Sequence, residues 1–333
     1  FAADPETEAS VALVIGHSYE GLGRYAEAQE LIAHSLDLRR SLHDPDDRRV
    51  FASLYRFGTI LWKQGALEEA LAVRIDLAAL TERTVGTAHL DHAESLSNLG
   101  NTYADMGDLD AAEAHLRQAV EVGRRVPAEE GELDLARFLN NLGTVYFDQG
   151  AFARASEVYQ EALDIRSRRL GEANDVYAIT LLNLGNTQLN LGDFEQAERT
   201  VRRALPLYER IFGEDHPRTA YAYSAMSEVL LREGRPDAAE PYARRALAIR
   251  EATAGSTYWR IASERRKLAE VLMALDRMDE AQLELDWAWD GLVAAGEESR
   301  PQAADVAKAM ARLQSALGQS EHAALWAGRA GGT

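Results

Sequence analysis

The sequence predicts an all-α solenoid of eight helix pairs, and three recurrences carry that prediction. A small residue returns at Gly16, Gly58, Gly100, Gly143, Gly185, Ser227, Ala269 and Ala311, at spacings of 42 residues with a single 43. Seven residues after each comes a turn residue: Gly23, Gly65, Gly107, Gly150, Gly192, Gly234, Asp276 and Gly318. Five further on stands an alanine in all eight copies: Ala28, Ala70, Ala112, Ala155, Ala197, Ala239, Ala281 and Ala323. A fixed period over the whole chain marks stacked supersecondary units, none of which buries its apolar faces alone.

The stretch Leu99–Ala119 shows how each unit is built. Leu99, Gly100 and Tyr103 share one face of a first helix. Gly107 and Asp108 supply the turn and a cap for the next helix. Leu109, Ala112, Leu116 and Ala119 form one face of a second helix. Glycine inside a helix costs about 1 kcal/mol relative to alanine, so five glycine anchors imply a packing reason. The anchor and the recurring alanine let the two helices cross closely. The residue three after the anchor fills the wedge between them: Tyr19, Leu61, Tyr103, Tyr146, Leu230 and Leu272, with Gln188 and Gln314 departing. Two positions beyond the turn residue, six of eight copies are large and apolar: Tyr25, Leu67, Leu109, Phe152, Phe194 and Met278, against Pro236 and Ser320.

This pattern, L-G-x-x-Y followed by G, an aromatic or Leu, and spaced alanines, resembles the tetratricopeptide repeat. The period of 42, LNLGN at 182–186 and GEDHPRT at 213–219 make it similar to the longer variety found in kinesin light chains and many bacterial proteins. The resemblance covers residues 6–330. It implies a right-handed superhelix whose first helices line a concave surface.

Taken in order, the repeats occupy about 6–43, 48–85, 90–127, 133–170, 175–212, 217–254, 259–296 and 301–330, a single solenoid over 1–333. Asp4-Pro5 reads as the cap and first residue of the first helix. Loops are expected at 43–47 and at 126–132, the latter taking up the one extra residue of the third spacing. Pro236 and Pro241 fall near the first turn of a second helix, where proline is tolerated. The seventh repeat carries Trp287 and Trp289, and the eighth is short, with no clear polar capping helix after it. That end is a route to self-association or to packing by another chain. The opening Phe-Ala-Ala lacks an initiator methionine and a signal-peptide pattern, as expected of a piece cut from a longer chain.

Composition narrows the function classes. With 36 basic and 54 acidic residues the net charge is −18, which disfavours nucleic acid and anionic membranes as partners. No apolar run is long enough to span a bilayer. The absence of cysteine removes disulfides, cysteine zinc sites and thiol chemistry, and it fits a cytoplasmic protein.

No catalytic motif is present: neither G-x-S-x-G nor H-E-x-x-H nor a phosphate loop occurs, so an enzyme, a metal centre and a cofactor are not expected. His89 and His92 form an H-x-x-H pair, but His89 and His216 both lie 11 residues before their anchors. His216 belongs to a GEDHP turn, so His89 reads as a loop or cap residue.

Function is expected on the concave face. Helical spacing places there Tyr55, Arg56, Trp62 and Lys63 from the second repeat. The third to fifth repeats contribute Asn98, Asn101, Arg137, Asn141, Phe147, Asn183, Asn186 and Asn190. The later repeats contribute Arg232, Arg266 and Lys267, among acidic exceptions that include Glu20, Glu94, Asp105, Asp148 and Glu270. Asparagine is a poor helix former, yet Asn98, Asn141 and Asn183 share one repeat position, and Asn101 and Asn186 another. An amide donates and accepts, so such a ladder suits an extended peptide backbone, or else it bridges neighbouring helices. The resemblance supports the first use. Of the family's carboxylate clamp, Asn101 and Asn141 match the asparagines. Ser97, Ile179 and Asn183 stand where basic residues belong, so no clamp is expected.

The sequence therefore implies a protein- or peptide-binding scaffold. By resemblance it is the regulatory or recruiting part of a bacterial signalling protein such as a serine/threonine kinase. A peptide-signal sensor that changes curvature and a self-assembly module are the alternatives.

Overall fold

The computed structural model describes residues 4–44, 46–253 and 257–331. Phe-Ala-Ala at 1–3 and one residue of the expected 43–47 loop lie outside the described residues. The described residues form sixteen α-helices and no strand. They divide into two compact units, one ending at Arg169 and one beginning at Leu170.

The first unit holds α1 (Pro5–Gly21), α2 (Tyr25–Leu42), α3 (Arg48–Gln64), α4 (Leu67–Val85), α5 (Leu90–Asp105), α6 (Leu109–Arg125), α7 (Ala128–Asp148) and α8 (Phe152–Leu170), which ends at the division. The second holds α9 (Asp175–Leu191), α10 (Phe194–Phe212), α11 (Pro217–Arg232), α12 (Pro236–Ala252), α13 (Tyr258–Ala274), α14 (Met278–Ala294), α15 (Pro301–Ala316) and α16 (Ser320–Gly331). Within each unit consecutive helices pack on one another, and first helices also touch the next first helix, as α5 does α7 and α13 does α15.

The turn series has a single cause. Gly23, Gly65, Gly107, Gly150, Gly192, Gly234 and Gly318 all have positive φ, and the eighth member, Asp276, is the one positive-φ non-glycine among the described residues. Each left-handed residue ends a first helix, and a polar cap often starts the second. Asp108 accepts from the Ala111 amide at 3.0 Å, and Asp193 from that of Gln196 at 3.3 Å. Asp4 caps α1 with Pro5 in its first turn, as the sequence implied.

The packing reason for the anchors is now explicit. A Cβ on Gly100 would stand 2.8 Å from Leu116 Cγ and 3.1 Å from the Ala112 carbonyl oxygen. The same substitution would bring Gly16 to 2.7 Å from Ile32, Gly143 to 2.6 Å from Tyr159 and Gly185 to 2.7 Å from Val201. The recurring alanines meet the anchors through backbone as well as size, and all eight are buried. At Gly16, Gly100, Gly143 and Gly185 the large residue sixteen positions on is what crowds out a Cβ, whereas Ala269 is accommodated against Leu285. Where the anchor grows to Ser227, the residue at that distance shrinks to Ala243.

Two expectations are revised. The segment 126–132 is not a loop: α7 begins at Ala128 and runs 21 residues, so the extra length becomes helix. Glu129 and Glu130 favour that N-terminus through the helix dipole, and Gly131 is buried against Val126. Pro236 does open α12, but Pro241 lies inside it, as Pro206 lies inside α10. Both prolines are exposed, and the carbonyls they orphan belong to exposed Arg202 and Asp237, where water replaces the lost bond.

Gly100→Ala is expected to cost about 1–3 kcal/mol by overpacking, and Leu116→Ala in the same chain to recover part of that loss, giving a non-additive double-mutant cycle in urea unfolding. Asp276→Gly is expected to raise stability by about 0.5–1 kcal/mol by relieving left-handed strain, seen as a small rise in melting temperature.

Candidate functional site

The exposed polar face of the first helices is built by the repeat itself. Positions about 42 residues apart fall on neighbouring first helices, so side chains there meet laterally. In the first unit Glu20 on α1 accepts a hydrogen bond from Lys63 Nζ of α3 at 2.7 Å, with Arg56 at 3.7 Å and His17 at 3.1 Å. Tyr55 donates to Glu94 of α5 at 3.2 Å, and Arg137 of α7 reaches the same carboxylate at 3.3 Å. The Trp62 indole donates to Asp105 at 2.5 Å, and Asn141 Nδ2 donates to Ser97 Oγ at 3.3 Å. In the second unit Lys267 donates to Ser224 at 2.5 Å, and Arg266 donates to Glu270 at 2.8 Å while Arg312 also bonds that carboxylate.

Within each unit the first helices carry the residues named from the sequence, and many of their polar groups are spent on one another. Arg56, Lys63, Arg137, Arg266 and Lys267 all have protein partners. Phe147 packs edge-on against Phe152 at 5.4 Å, and Arg232 lies over the Phe194 ring at 5.5 Å. Asn98 gives its main-chain carbonyl to Arg74 at 2.8 Å and to Thr102 at 3.0 Å. Asn190 donates to the Asn186 carbonyl at 2.8 Å. The side chains of Asn101, Asn183 and Asn186 are half-buried and make no hydrogen bond among the described residues. Their hydrogen-bonding capacity is unspent, that of Asn101 in the first unit and that of the other two on α9 in the second.

Electrostatics follow burial. Burial raises the Glu20 carboxyl, but the hydrogen bonds from Lys63 and His17 and the charges of Lys63 and Arg56 outweigh it, leaving its pKa below 4.5. Burial and the neighbouring Asp105 push Asp148 up. Burial, with Glu94, raises Tyr55.

Sequence reading missed the arginines behind the face. Arg74 is 5% exposed, donates to Asn98 O and Thr102 Oγ1, and is lowered to about 10 by burial. Arg39 is similarly buried, bonding Ser10, Arg49 and Ser53. Their signal is positional: Arg39, Arg166 and Arg250 share one repeat position and all are buried. His89 behaves as the repeat implied. Its Nδ1 accepts from the Asp91 amide at 3.1 Å, matching His216 and the Arg218 amide at 3.1 Å. His92 instead is buried.

A sequence profile of the tetratricopeptide repeat matches residues 7–73, 49–125, 134–210 and 180–252, and a second profile of the same repeat matches 97–169. No curated protein matches the sequence significantly. Among solved structures, the chain resembles BtubC (BKLC) from P. vanneervenii at 24% identity and TM-score 0.60, over 69% of this chain and 92% of that one. It resembles the apo quorum sensor NprR from B. thuringiensis at 15% identity and TM-score 0.73, over 99% and 88%. A Rap protein complexed with Competence and Sporulation Factor aligns at 16% identity and TM-score 0.61, over 98% and 97%. No described helix is long and apolar enough to cross a membrane.

Because the Glu20 pKa is depressed, its contribution to stability is full above 4.5 and is lost as pH falls through the lower folded value. Glu20→Gln is expected to lower stability by about 1–2 kcal/mol at neutral pH. The difference from wild type should shrink in acid, as followed by thermal melts across pH.

Proposed function

We infer that this chain, which belongs to the tetratricopeptide-repeat family, is a non-catalytic scaffold that binds an extended peptide segment on the polar face of its first helices. The observation that carries this reading is the pair of half-buried amides on α9, Asn183 and Asn186, whose side chains have no hydrogen-bond partner among the described residues. An amide left in that state is poised to donate to and accept from a peptide backbone. Asn190 lies on the same helix, and the first unit's own first-helix face carries Asn98, Asn101 and Asn141 with the rings of Tyr55, Trp62 and Phe147. Arg56, Lys63, Arg137, Arg232, Arg266 and Lys267 set the charge of the surroundings more than they supply free cations, because most have carboxylate or hydroxyl partners. A backbone reader of this kind tolerates varied side chains in its ligand.

The likeness to the quorum sensor NprR and to a Rap protein solved with Competence and Sporulation Factor favours one refinement: binding by a signal peptide that alters the curvature of the stack. It also supports a bacterial signalling role in the cytoplasm.

Peptides selected from a random library on the wild-type chain should lose at least about tenfold in affinity for Asn183→Ala with Asn186→Ala, the loss of two amide contacts at about 1 kcal/mol each. Alanine substitution along the selected peptide should change affinity little. Unchanged binding by the double variant, measured by fluorescence anisotropy, would place the peptide elsewhere. Small-angle scattering at saturation separates the refinement, since unaltered dimensions leave a static scaffold.

A further inference from the structure

A second candidate site lies in the first unit, between the second helices α4 and α6, with α5 as its floor. It is a cleft of about 600 Å³ lined by Ala78, Ala79, Leu96, Leu99 and Val122, together with His92, Tyr103, His115 and Glu82. That size is typical of small-ligand pockets.

Comparison of the repeats shows how its lining differs. Twenty residues after each anchor six other copies carry Leu36, Val120, Leu163, Leu205, Leu247 and Trp289, and the eighth carries Gly331. The second repeat carries Ala78 there, so the side chain is smaller than in those six, although the adjoining cleft along α6 is open beside Val120 as well. The two histidines are peculiar to this place. His92 stands where other copies have Glu8, Val50, Leu135, Tyr177, Thr219, Ile261 and Ala303; His115 stands where others have Leu31, Val73, Val158, Thr200, Tyr242, Glu284 and Trp326.

The hydrogen bonds assign the roles of the two imidazoles. Thr81 Oγ1 donates to the carbonyls of Leu77 or Ala78, at 3.1 and 2.9 Å, so toward His92 it accepts from Nδ1–H at 3.1 Å. His92 Nε2 is then an acceptor. His115 stacks on Tyr103, with ring centroids 5.4 Å apart and planes 8° from parallel, and its Nδ1 is buried without a partner. A bare lone pair is cheaper to bury than an unmade N–H bond, so the proton sits on His115 Nε2, a donor. Burial lowers both histidines, so both are neutral near pH 7. At the rim Arg125 bonds Glu121, while Glu82 is exposed and has no ion-pair partner among the described residues.

We propose that this cleft binds a small aromatic amine. The ring occupies the space that Ala78 leaves over Leu96 and Leu99. The ammonium pairs with Glu82 and donates to His92, and a ring hydroxyl accepts from His115. The apolar floor selects the ring, and the single uncompensated carboxylate selects a cation over an anion. The site lies apart from the asparagine-bearing face and does not depend on the peptide reading.

Tyramine is the probe, titrated calorimetrically at neutral pH into the intact chain. Saturable one-to-one binding is expected. Ala78→Leu, which restores the side chain most other repeats carry, and Glu82→Gln, at an exposed position, should each weaken it at least about tenfold. The carboxylate analogue 3-(4-hydroxyphenyl)propionate should also bind at least about tenfold more weakly. Circular dichroism melts confirm that each variant folds, and Glu82→Gln carries the test if Ala78→Leu does not. Absence of saturable binding at millimolar tyramine, or full affinity in the folded variants, overturns the proposal.

Discussion

The close crossing of the two helices in each pair is the constraint from which the rest of this structure follows. A helix cannot approach another at the distance seen at Gly100 unless one of them lacks a Cβ, because Leu116 and the Ala112 carbonyl already occupy that volume. Glycine makes the approach possible, and the side chain sixteen residues later supplies the apolar area that repays its low helix propensity. The match is one of size. Tyr159, the bulkiest partner, crosses a glycine; Ala243, among the smallest, crosses Ser227. The sequence spacing then does the work of a rigid template. With the pair fixed, residues about 42 positions apart within one unit are brought close together on neighbouring helices of the same kind.

That template explains why the first-helix faces are so heavily self-paired. Side chains that meet their equivalents in the next repeat must be complementary, or like charges would stack along the face. Glu20 against Lys63 and Arg56, Glu94 against Tyr55 and Arg137, and Glu270 against Arg266 and Arg312 are solutions to that problem. Asp148 is the exception, and its raised pKa records burial together with the unrelieved repulsion of Asp105. Such pairs align neighbouring helices more than they add stability, since those at the surface are worth under about 1 kcal/mol.

The helices, turns and crossings were legible because each is dictated locally. A left-handed turn wants glycine, a close crossing wants a small residue, and both recur with the period. The acidic first turn of α7 stands in the sequence at Glu129 and Glu130, but the extra residue at 126–132 suggested a loop, and the packing of buried Gly131 on Val126 is visible only in three dimensions. On the candidate site, periodicity located Asn101, Asn141 and Asn183 without distinguishing their states. The Asn141 side chain reaches Ser97, whereas those of Asn101 and Asn183 make no hydrogen bond among the described residues, and that difference depends on rotamers and neighbours rather than on spacing. The buried arginines escaped notice for a related reason. Arg39 and Arg74 look like surface residues in a charged chain until their carbonyl and hydroxyl partners are in place.

A repeat architecture also makes departures measurable, because each copy is a control for the others. Gln188 and Gln314 replace the wedge residue and leave buried Oε1 atoms without partners, a local penalty that the neighbouring alanine and leucine packing absorbs. Ala78 is a departure of another kind. It creates space rather than an unmet bond, and it does so beside two histidines that replace mostly apolar or aromatic residues of other copies. Losing a methyl-bearing side chain from a groove costs packing energy, and exchanging apolar residues for imidazoles adds a desolvation cost. Neither change helps the stack. Two costly departures meeting in one cleft, with a partnerless carboxylate at its rim, are better accounted for by something that fills the cleft than by folding.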